Sequence, residues 1–483
     1  MSQPNILIII CDQLSAQALP AWGNTYANTP NINSIIDSGV RCESAYSNCP
    51  LCLPSRASFW SGRYPHQTGI LSNGREHTNA EFPENAPTLG SLFKEAGYTT
   101  VHFGKQHDGG SLRGFDCAPT EEILSTPAHP SLVQNYDTWQ DNYTSQRAVD
   151  FLNSYKQDAP YCMVADFNNP HNICGWIGNN ANATPLEAEF DNLPPLPENL
   201  YLSDEELRSR PLPIQHLPNA HVRQAQIAGW DEKKIQHYLH AYHHYLNLAD
   251  QEIGKLLQTL KSRADAEETL VAFFSDHGDS MTGRWMATKH TSFYEETTHV
   301  PLAFSGFGVA RQGQTLNGLC SLIDLLPTLC DFAGIQVPSE TQGKSLYPAL
   351  SQGNNNIDLN DAVFSQWYTE WGYTIEPGRM VRTEQFKYTH YLEDGQEELY
   401  DLQTDPGEMH NLANSDDMLE DLQRHRDLLE QHLRTSHDPY RSLKPKAAPI
   451  FRQTATSYQH FSGPVAPEFY TIKNNISENE EKQ

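Results

Sequence analysis

Four short apolar runs, each ending in polar side chains capable of chemistry, constrain the fold of this chain most. They are NILIII at 5–10, followed by Cys11-Asp12-Gln13; YTTVHFG at 98–104, followed by Lys105-Gln106-His107; YCMVADF at 161–167, followed by Asn168-Asn169-Pro170-His171; and TLVAFFS at 269–275, followed by Asp276-His277-Gly278-Asp279. Continuous apolar runs of this length are typical of strands buried on both faces of a mostly parallel sheet. Ligands of such sheets bind beyond the carboxyl ends of the strands, so the four polar ends predict one shared site.

The fold class we expect is α/β, with a mostly parallel central sheet flanked by helices and a smaller C-terminal α+β subdomain that carries an antiparallel sheet. Apolar residues at helical spacing over about 234–260 predict a long helix that leads into the strand at 269–275. We predict a main α/β domain over 1–361 that holds the shared site, in which the Pro- and Asn-rich stretch 175–231 is an irregular insertion of the kind that forms a lid or a specificity loop. The subdomain covers 362–442, with a turn at Asp394-Gly395 and a helix over about 416–436, and 443–483 is an extended tail with a disordered end.

Charge and hydropathy exclude several classes of partner. Lys and Arg total 33 against 60 Asp and Glu, a formal net charge of −27, which disfavours nucleic acid and anionic membrane surfaces. No apolar run approaches the roughly 18 residues that span a bilayer. The N-terminal MSQPNILIII has neither a basic n-region nor a cleavage site, so we expect a cytoplasmic protein unless a leader has been removed. Nine scattered cysteines cannot all pair, which favours reduced, buried thiols.

The stretch CPLCLPSR at 49–56 allows several interpretations. Cys49 and Cys52 form a C-x-x-C pair, but no second pair lies at zinc-finger distance and no thioredoxin-like pattern surrounds it. A buried structural cysteine is the simplest alternative. Pro54 suits the first turn of a helix, which places Cys52 at or just before a helix N-terminus, where negative charge is stabilised.

The segment CLPSRASFWSGRYPHQTGI at 52–70 resembles the signature of the type I sulfatases of the alkaline phosphatase superfamily. Other segments resemble landmarks of that family in the same order: PNILIIICDQ at 4–13, APTLGSLFKEAGYTTVHFGKQH at 86–107, SDHG at 275–278, SLIDLLPTLCDFAGI at 321–335 and ELYDLQTDPGEMHNLA at 398–413. The resemblance implies an alkaline-phosphatase-like sheet. It also implies that Cys52 is oxidised to formylglycine (3-oxoalanine) by a formylglycine-generating or anaerobic maturation enzyme.

The same resemblance implies a role for each residue of the site. The catalytic set is Cys52, Arg56, Lys105, His107, His171 and Lys289, and the metal ligands are Asp12, Gln13, Cys52, Asp276 and His277. The hydrate of the aldehyde serves as the nucleophile, and the cationic residues neutralise the sulfate. His107 acts as the base, and His171 with Lys289 protonates the leaving oxygen. His290 is a rival for the role of Lys289.

The metal pairs depart from the commonest family pattern, because Gln13 follows Asp12 and His277 follows Asp276. These pairs resemble the choline-sulfatase and phosphonate-monoester-hydrolase branches. Ca²⁺ is the ion we expect, with Mn²⁺ or Mg²⁺ as alternatives, because an imidazole ligand favours transition ions.

The function we expect is hydrolysis of the S–O bond of a small organic sulfate ester, with a sulfated carbohydrate as the substrate class. Two alternatives remain open. One is a phosphonate or phosphate diester hydrolase, or a choline-sulfatase-like enzyme, of the same superfamily. The other is a non-catalytic binding protein in which Cys52 is unmodified. The leaving alcohol, endo or exo action and the oligomeric state also stay open.

Overall fold

The computed structural model describes most of the chain. The described residues are 3–73, 82–118, 133–180, 192–211, 213–215, 227, 230–289, 292–310, 313–352, 359–368, 377–392 and 396–443. The predicted turn at Asp394-Gly395, much of the predicted insertion and nearly all of the predicted tail lie outside them, as does His290.

A central sheet of nine strands organises the described residues. Its strands are β1 (Asn5–Cys11), β2 (Gly39–Tyr46), β3 (Thr99–Gly104), β4 (Asp116–Cys117), β5 (Tyr161–Phe167), β6 (Thr269–Ser275), β7 (His299–Val300), β8 (Leu302–Gly306) and β9 (Gln314–Ser321). The order is β4-β3-β5-β1-β6-β8-β2-β7, and β9 also pairs with β2. From β4 to β6 every neighbouring pair is parallel, whereas β8 runs antiparallel to both β6 and β2. The predicted α/β class with a mostly parallel sheet is confirmed.

The central strand β1 shows why the sheet is buried on both faces. All seven of its residues are buried, and successive side chains point to opposite faces of the sheet. Leu7 and Ile9 join the core formed with the helix Glu232–Lys261. Ile6, Ile8 and Ile10 join the core formed with the helices that begin at Cys52 and Leu325.

The helices flank the sheet and fill the connections between strands. They are Pro30–Asp37, Cys52–Ser61, Pro65–Thr68, Leu89–Glu95, Val133–Ser154, Ile173–Asn180, Asp204–Ser209, Glu232–Lys261, Glu295–Thr298, Leu325–Ala333, Tyr347–Gln352 and Leu419–Thr435. The predicted long helix is therefore present and slightly longer than predicted, with the Asp231 side chain accepting a hydrogen bond from the Lys234 N–H at its start. Among the described helices, none combines the length and the hydropathy that a membrane span requires.

A second, antiparallel sheet lies in the C-terminal region, as predicted. Its strands follow one another in the order β10 (Val363–Trp367), β11 (Gly378–Arg382), β12 (Phe386–Tyr391) and β13 (Glu397–Asp401). The helix Leu419–Thr435 packs on one face, through Leu429 and Leu433. Lys387 of β12 lies buried 2.7 Å from Glu295 and 2.9 Å from Glu408, which ties this sheet to the rest of the chain. The predicted boundaries of the domains stay a prediction.

Sheet direction determines where the functional side chains are placed. Because β2 and β8 are antiparallel, as are β8 and β6, β2 runs in the same direction as β6. The carboxyl ends of β1, β2, β3, β5 and β6 therefore meet at one edge of the sheet. The residues that follow these ends include Asp12, Cys52, Lys105, His171 and Asp276.

Two glycines test how closely β3 approaches β5 at this edge. Gly104 and Gly97 both have positive φ, 106° and 91° respectively. A Cβ added at position 104 would lie 2.0 Å from the Asp166 carbonyl oxygen, whereas a Cβ added at position 97 would meet nothing within 4 Å. Each change to alanine should lower the free energy of unfolding by about 1–2 kcal/mol through backbone strain. Gly104→Ala should lose about 1–3 kcal/mol more through the clash. Urea denaturation measures the difference, and equal losses would contradict a close, rigid approach.

Candidate active site

Cys52 is the first residue of the helix Cys52–Ser61, as the position of Pro54 predicts. The helix start is tied to the end of β6, because the Ser47 and Ser55 hydroxyls both donate to the Asp276 carbonyl oxygen, at 2.7 and 2.6 Å. All ten residues of the helix are buried. The side chain of Cys52 therefore lies in a fixed position at the positive end of the helix dipole.

Three other predicted metal ligands converge on Cys52. Ligand atoms of Asp12, Cys52, Asp276 and His277 all lie within 4.8 Å of one another, and all four residues are buried. Nε2 of His277 is 3.1 Å from Sγ of Cys52, and Oδ1 of Asp12 is 3.8 Å from the same sulfur. Two oxygens on opposite sides of one Ca²⁺ ion are separated by about 4.6–5.2 Å, so this spacing fits a single ion.

The two carboxylates are oriented so that each presents one oxygen to the cluster. Oδ1 of Asp12 and Oδ1 of Asp276 lie 4.0 and 3.8 Å from Nε2 of His277. Their Oδ2 atoms instead accept hydrogen bonds from Arg56, each at 2.9 Å. Nδ1 of His277 lies 2.8 Å from the Gly278 carbonyl oxygen, which places its proton on Nδ1 and leaves Nε2 facing the cluster. The donor set, two carboxylates and an imidazole, fits a divalent cation.

Gln13, the fifth predicted ligand, adopts a left-handed backbone conformation with φ 66°. Its Nε2 donates to Asp279 at 2.7 Å, which turns Oε1 the other way. That Oε1 accepts a hydrogen bond from Nζ of Lys289 at 2.8 Å, and Lys289 also lies 3.0 Å from Sγ of Cys52. The Gln13 carbonyl therefore faces the same space as the cluster.

Arg56 is surrounded by three buried carboxylates. Besides Asp12 and Asp276 it contacts Asp166 with two of its nitrogens, at 2.5 and 3.1 Å. Asp166 also lies 3.4 Å from His102, and all of these side chains are buried. All three nitrogens of the Arg56 guanidinium thus bind carboxylates. The cationic side chains next to the Cys52 sulfur are Lys105 and Lys289.

Lys105 and Lys289 determine the charge state at position 52. Nζ of Lys105 is 2.5 Å from Oδ2 of Asp12 and 3.9 Å from Sγ of Cys52. Burial acts to raise the pKa of the Cys52 thiol, but Lys105, Lys289 and His277 outweigh it and hold this pKa well below its usual range. For Asp12, burial and Cys52 act to raise the pKa, yet Lys105 and the other nearby cations hold it far below normal. The site therefore stabilises negative charge on the side chain at position 52.

The two predicted histidines also lie near Cys52 and act on its charge. His107 is half-buried and acts to lower the pKa of the Cys52 thiol. Burial together with Lys105 and Lys289 lowers the pKa of His171 to about 3, although Asp12 and Cys52 act in the opposite direction. The backbone before His171 is held by Asp141, which accepts the Asn168 N–H at 2.6 Å.

The structure thus brings all ten predicted site residues into one cluster, while their individual roles stay predictions. Sequence reasoning missed Asp166 and gave no role to Asp279. For Asp166 a signal exists, because an acid inside the apolar run YCMVADF needs a buried partner. For Asp279 the only signal is its position three residues after Asp276.

Removal of the Arg56 charge should destabilise the protein strongly. In Arg56→Met three buried carboxylates lose their shared cation, which we expect to cost about 3–5 kcal/mol of unfolding free energy. Lys94→Met is the control, because the Lys94–Asp116 ion pair is 54% and 72% exposed and should contribute about 0–1 kcal/mol. Urea denaturation in the presence of a chelator measures both, and similar losses would contradict the proposed importance of Arg56.

Metal-free protein should be stabilised by Ca²⁺. A free ion at 100 times its dissociation constant should add about 2.7 kcal/mol. Asp276→Asn, which changes a buried predicted ligand, should lose most of this gain, whereas Asp331→Asn, at an exposed carboxylate, should keep it. Thermal denaturation with and without the ion is the measurement, and parallel titrations rank Mn²⁺ and Mg²⁺ against Ca²⁺. An equal gain in both variants would place the ion elsewhere.

Comparisons with known proteins show which family the chain belongs to. The family described as Sulfatase matches residues 4–335, and the one described as N-sulphoglucosamine sulphohydrolase, C-terminal, matches residues 283–435. The chain is 43% identical over 473 residues to the Delta 4,5-hexuronate-2-O-sulfatase of Bacteroides thetaiotaomicron, covering 98% of this chain and 97% of that protein. It is 28% identical over 451 residues to the choline-sulfatase of Rhizobium meliloti, covering 86% of this chain and 83% of that protein.

A solved structure of a 2-O GAG sulfatase superposes with a TM-score of 0.86 at 42% identity, covering 97% of this chain and 100% of that one. The family match covers more than half of the chain, and the hexuronate sulfatase relative matches nearly all of it. The cluster around Cys52 lies within the matched region. The chain therefore belongs to the sulfatase family.

Proposed function

We propose that this sulfatase carries formylglycine at position 52, binds one divalent cation, with Ca²⁺ as our first choice, and hydrolyses the 2-O-sulfate ester of a hexuronate. The observation that carries the substrate is the near-full-length similarity to a Delta 4,5-hexuronate-2-O-sulfatase. The convergence of Asp12, Lys105, His277 and Lys289 on Cys52 supports the nucleophile and the cation. A maturation enzyme is then required as a partner, because the encoded residue is cysteine.

The two lysines are suited to bind the sulfate group. Both ammonium groups already face Sγ of Cys52, at 3.9 and 3.0 Å, and that sulfur marks where an oxygen on the same Cβ would lie. A sulfate ester placed against position 52 would therefore lie near both ammonium groups. Fixed positive charge in a buried site stabilises the charge that develops on the sulfuryl oxygens during transfer.

The metal ion and formylglycine each supply one element of the chemistry. A divalent cation lowers the pKa of a bound hydroxyl and neutralises a sulfate oxygen. Formylglycine, as its hydrate, supplies one hydroxyl that attacks sulfur and a second whose deprotonation releases sulfate and restores the aldehyde. Asp12, Asp276 and His277 would hold the ion, with the Gln13 carbonyl beside them.

The remaining residues move protons. As the S–O bond to the sugar breaks, the leaving oxygen takes a proton from the Lys289 ammonium group, which lies 3.0 Å from Sγ of Cys52, while the uncharged His171 contacts the sulfate. His107, which lies near the side chain at position 52 and acts on its pKa, takes the proton whose loss releases sulfate. Water then rehydrates the aldehyde, so one water and one ester give one alcohol and one sulfate.

The test is turnover of matched substrates by protein made in a host that forms formylglycine. An unsaturated hexuronate 2-O-sulfate disaccharide should have a kcat/KM about 100-fold or more above N-acetylglucosamine 6-O-sulfate, choline sulfate and an aryl phosphate diester, because one site cannot position all four esters equally. Cys52→Ala should lose about 10³-fold or more, since it removes the nucleophile. Cys330→Ala, a buried thiol in the helix Leu325–Ala333, is the matched control and should keep its activity.

Mass spectrometry of the peptide 42–56 makes the test interpretable. This peptide carries Cys42, Cys49 and Cys52, so the first two cysteines are internal controls for conversion at the third. Aldehyde at position 52 together with faster turnover of choline sulfate or the diester would overturn the hexuronate proposal. An intact thiol in active protein would overturn the proposed nucleophile, and an intact thiol in inactive protein would favour the binding protein.

A further inference from the structure

A closed ring of hydrogen bonds lies behind the candidate site. The Tyr238 hydroxyl lies 2.9 Å from both carboxylate oxygens of Asp279, and Nε2 of Gln13 donates to the same carboxylate at 2.7 Å. Nζ of Lys289 donates to Oε1 of Gln13 at 2.8 Å. The ring closes where the backbone N–H of Thr288, the neighbour of Lys289, donates to the Tyr238 hydroxyl at 3.1 Å.

We propose that Tyr238 and Asp279 are positioning residues, which fix the Gln13 carbonyl and the Lys289 ammonium group against position 52. Every member of the ring is at most 1% exposed. Water is therefore not available to replace a missing partner, and loss of one hydrogen bond leaves a buried polar group unsatisfied. The proposal uses the sulfatase reaction and does not depend on which sugar is the substrate.

Asp279 determines which end of the Gln13 amide faces the cluster. The Asp279 side chain accepts hydrogen bonds from Gln13, Tyr238 and the Met281 N–H, so it takes the NH₂ end of the Gln13 amide and the carbonyl end turns towards Lys289 and Cys52. Asp279 is itself oriented by the Met281 N–H, which donates to Oδ1 at 2.9 Å. With an uncharged amide in place of Asp279, the hydrogen bond from Lys289 would be the main contact left to orient the Gln13 amide, and that orientation would be held less firmly.

Tyr238 fixes the end of a strained segment that leads to Lys289. Five non-glycine residues between 281 and 288 have positive φ: Met281, Thr282, Arg284, Trp285 and Thr288. Backbone of this kind persists only where its surroundings hold it, and such strain clusters at functional sites. The backbone of Thr288 is held at both its carbonyl oxygen and its N–H. The N–H and the hydroxyl of Ser280 each donate to the Thr288 carbonyl oxygen at 2.7 Å, and the Tyr238 hydroxyl accepts from the Thr288 N–H.

The two isosteric variants Tyr238→Phe and Asp279→Asn test the proposal. On any sulfate ester that the wild type turns over, each should lower kcat by about 10- to 100-fold, the range expected for a lost hydrogen bond to a charged group, while KM changes less than about threefold. In calorimetric titration of metal-free protein with Ca²⁺, Asp279→Asn should weaken the dissociation constant by about tenfold. If one of the two variants does not fold, the kcat of the other still tests the positioning role.

The control is Tyr161→Phe, which also removes a buried tyrosine hydroxyl. This hydroxyl lies 3.3 Å from the Thr269 hydroxyl, where β5 and β6 begin, at the opposite edge of the sheet. Tyr161→Phe should keep wild-type kcat and Ca²⁺ affinity even if its melting temperature falls. If Tyr238→Phe and Asp279→Asn likewise lower only the melting temperature, their role is structural and the proposal is wrong.

A double-mutant cycle then tests whether Asp279 affects Ca²⁺ binding through Gln13 or independently of it. If Asp279 works by orienting Gln13, Asp279→Asn should weaken Ca²⁺ binding about tenfold in the wild type but less than about twofold in the Gln13→Ala background. Equal effects in both backgrounds would show that Asp279 does not act through Gln13. Failure of the hexuronate assignment would leave these ratios unchanged, because Ca²⁺ titration uses no substrate.

Discussion

The site depends on neutralising three buried carboxylates that lie close together. Asp12 and Asp276 follow the ends of β1 and β6, and Asp166 lies within β5. These three strands are adjacent and parallel, so the sheet itself brings the three carboxylates together at one edge. Arg56 makes this arrangement possible, since its planar guanidinium reaches all three at 2.5–3.1 Å. It also orients Asp12 and Asp276, because the oxygen that each gives to Arg56 is the one turned away from Cys52. A lysine has one nitrogen, whereas Arg56 reaches the three carboxylates through three separate nitrogens in one plane.

The parts of the site that the sequence predicts are those set by strand geometry. Apolar runs reveal strands buried on both faces, and parallel strands place their carboxyl ends at one edge, so the convergence of Asp12, Lys105, His171 and Asp276 follows from pattern alone. Cys52 follows from a second local signal, because Pro54 restricts where the helix can begin. The resemblance of CLPSR to a family signature adds chemistry that no pattern of hydropathy contains.

The parts that the sequence does not predict are contacts made through space. Tyr238 and Tyr242 occupy an apolar stripe of the helix Glu232–Lys261 and their spacing reads as core packing. Their hydroxyls instead reach the site, since Tyr238 contacts Asp279 and Tyr242 donates to the backbone carbonyl oxygen of Gln13 at 2.7 Å. A hydropathy pattern counts both tyrosine rings as apolar and does not show what their hydroxyl groups contact. Those contacts become visible only when the helix is packed against the sheet in the structure. Asp166 was missed for a related reason, because a strand pattern shows that a side chain is buried but not what it meets.

These contacts make formation of the site dependent on packing of the long helix. Gln13 and Lys289 are 276 residues apart in the chain, yet their hydrogen bond forms only if both loops take their final positions. The helix Glu232–Lys261 contacts both loops, through Tyr242 at Gln13 and through Tyr238 at Thr288. Since its apolar face buries Leu246, Ile253 and Leu256 against the sheet, the energy that docks the helix is hydrophobic and independent of the site's charges. The fold can therefore hold two loops in strained positive-φ conformations beside Cys52 without relying on the metal or the substrate to order them.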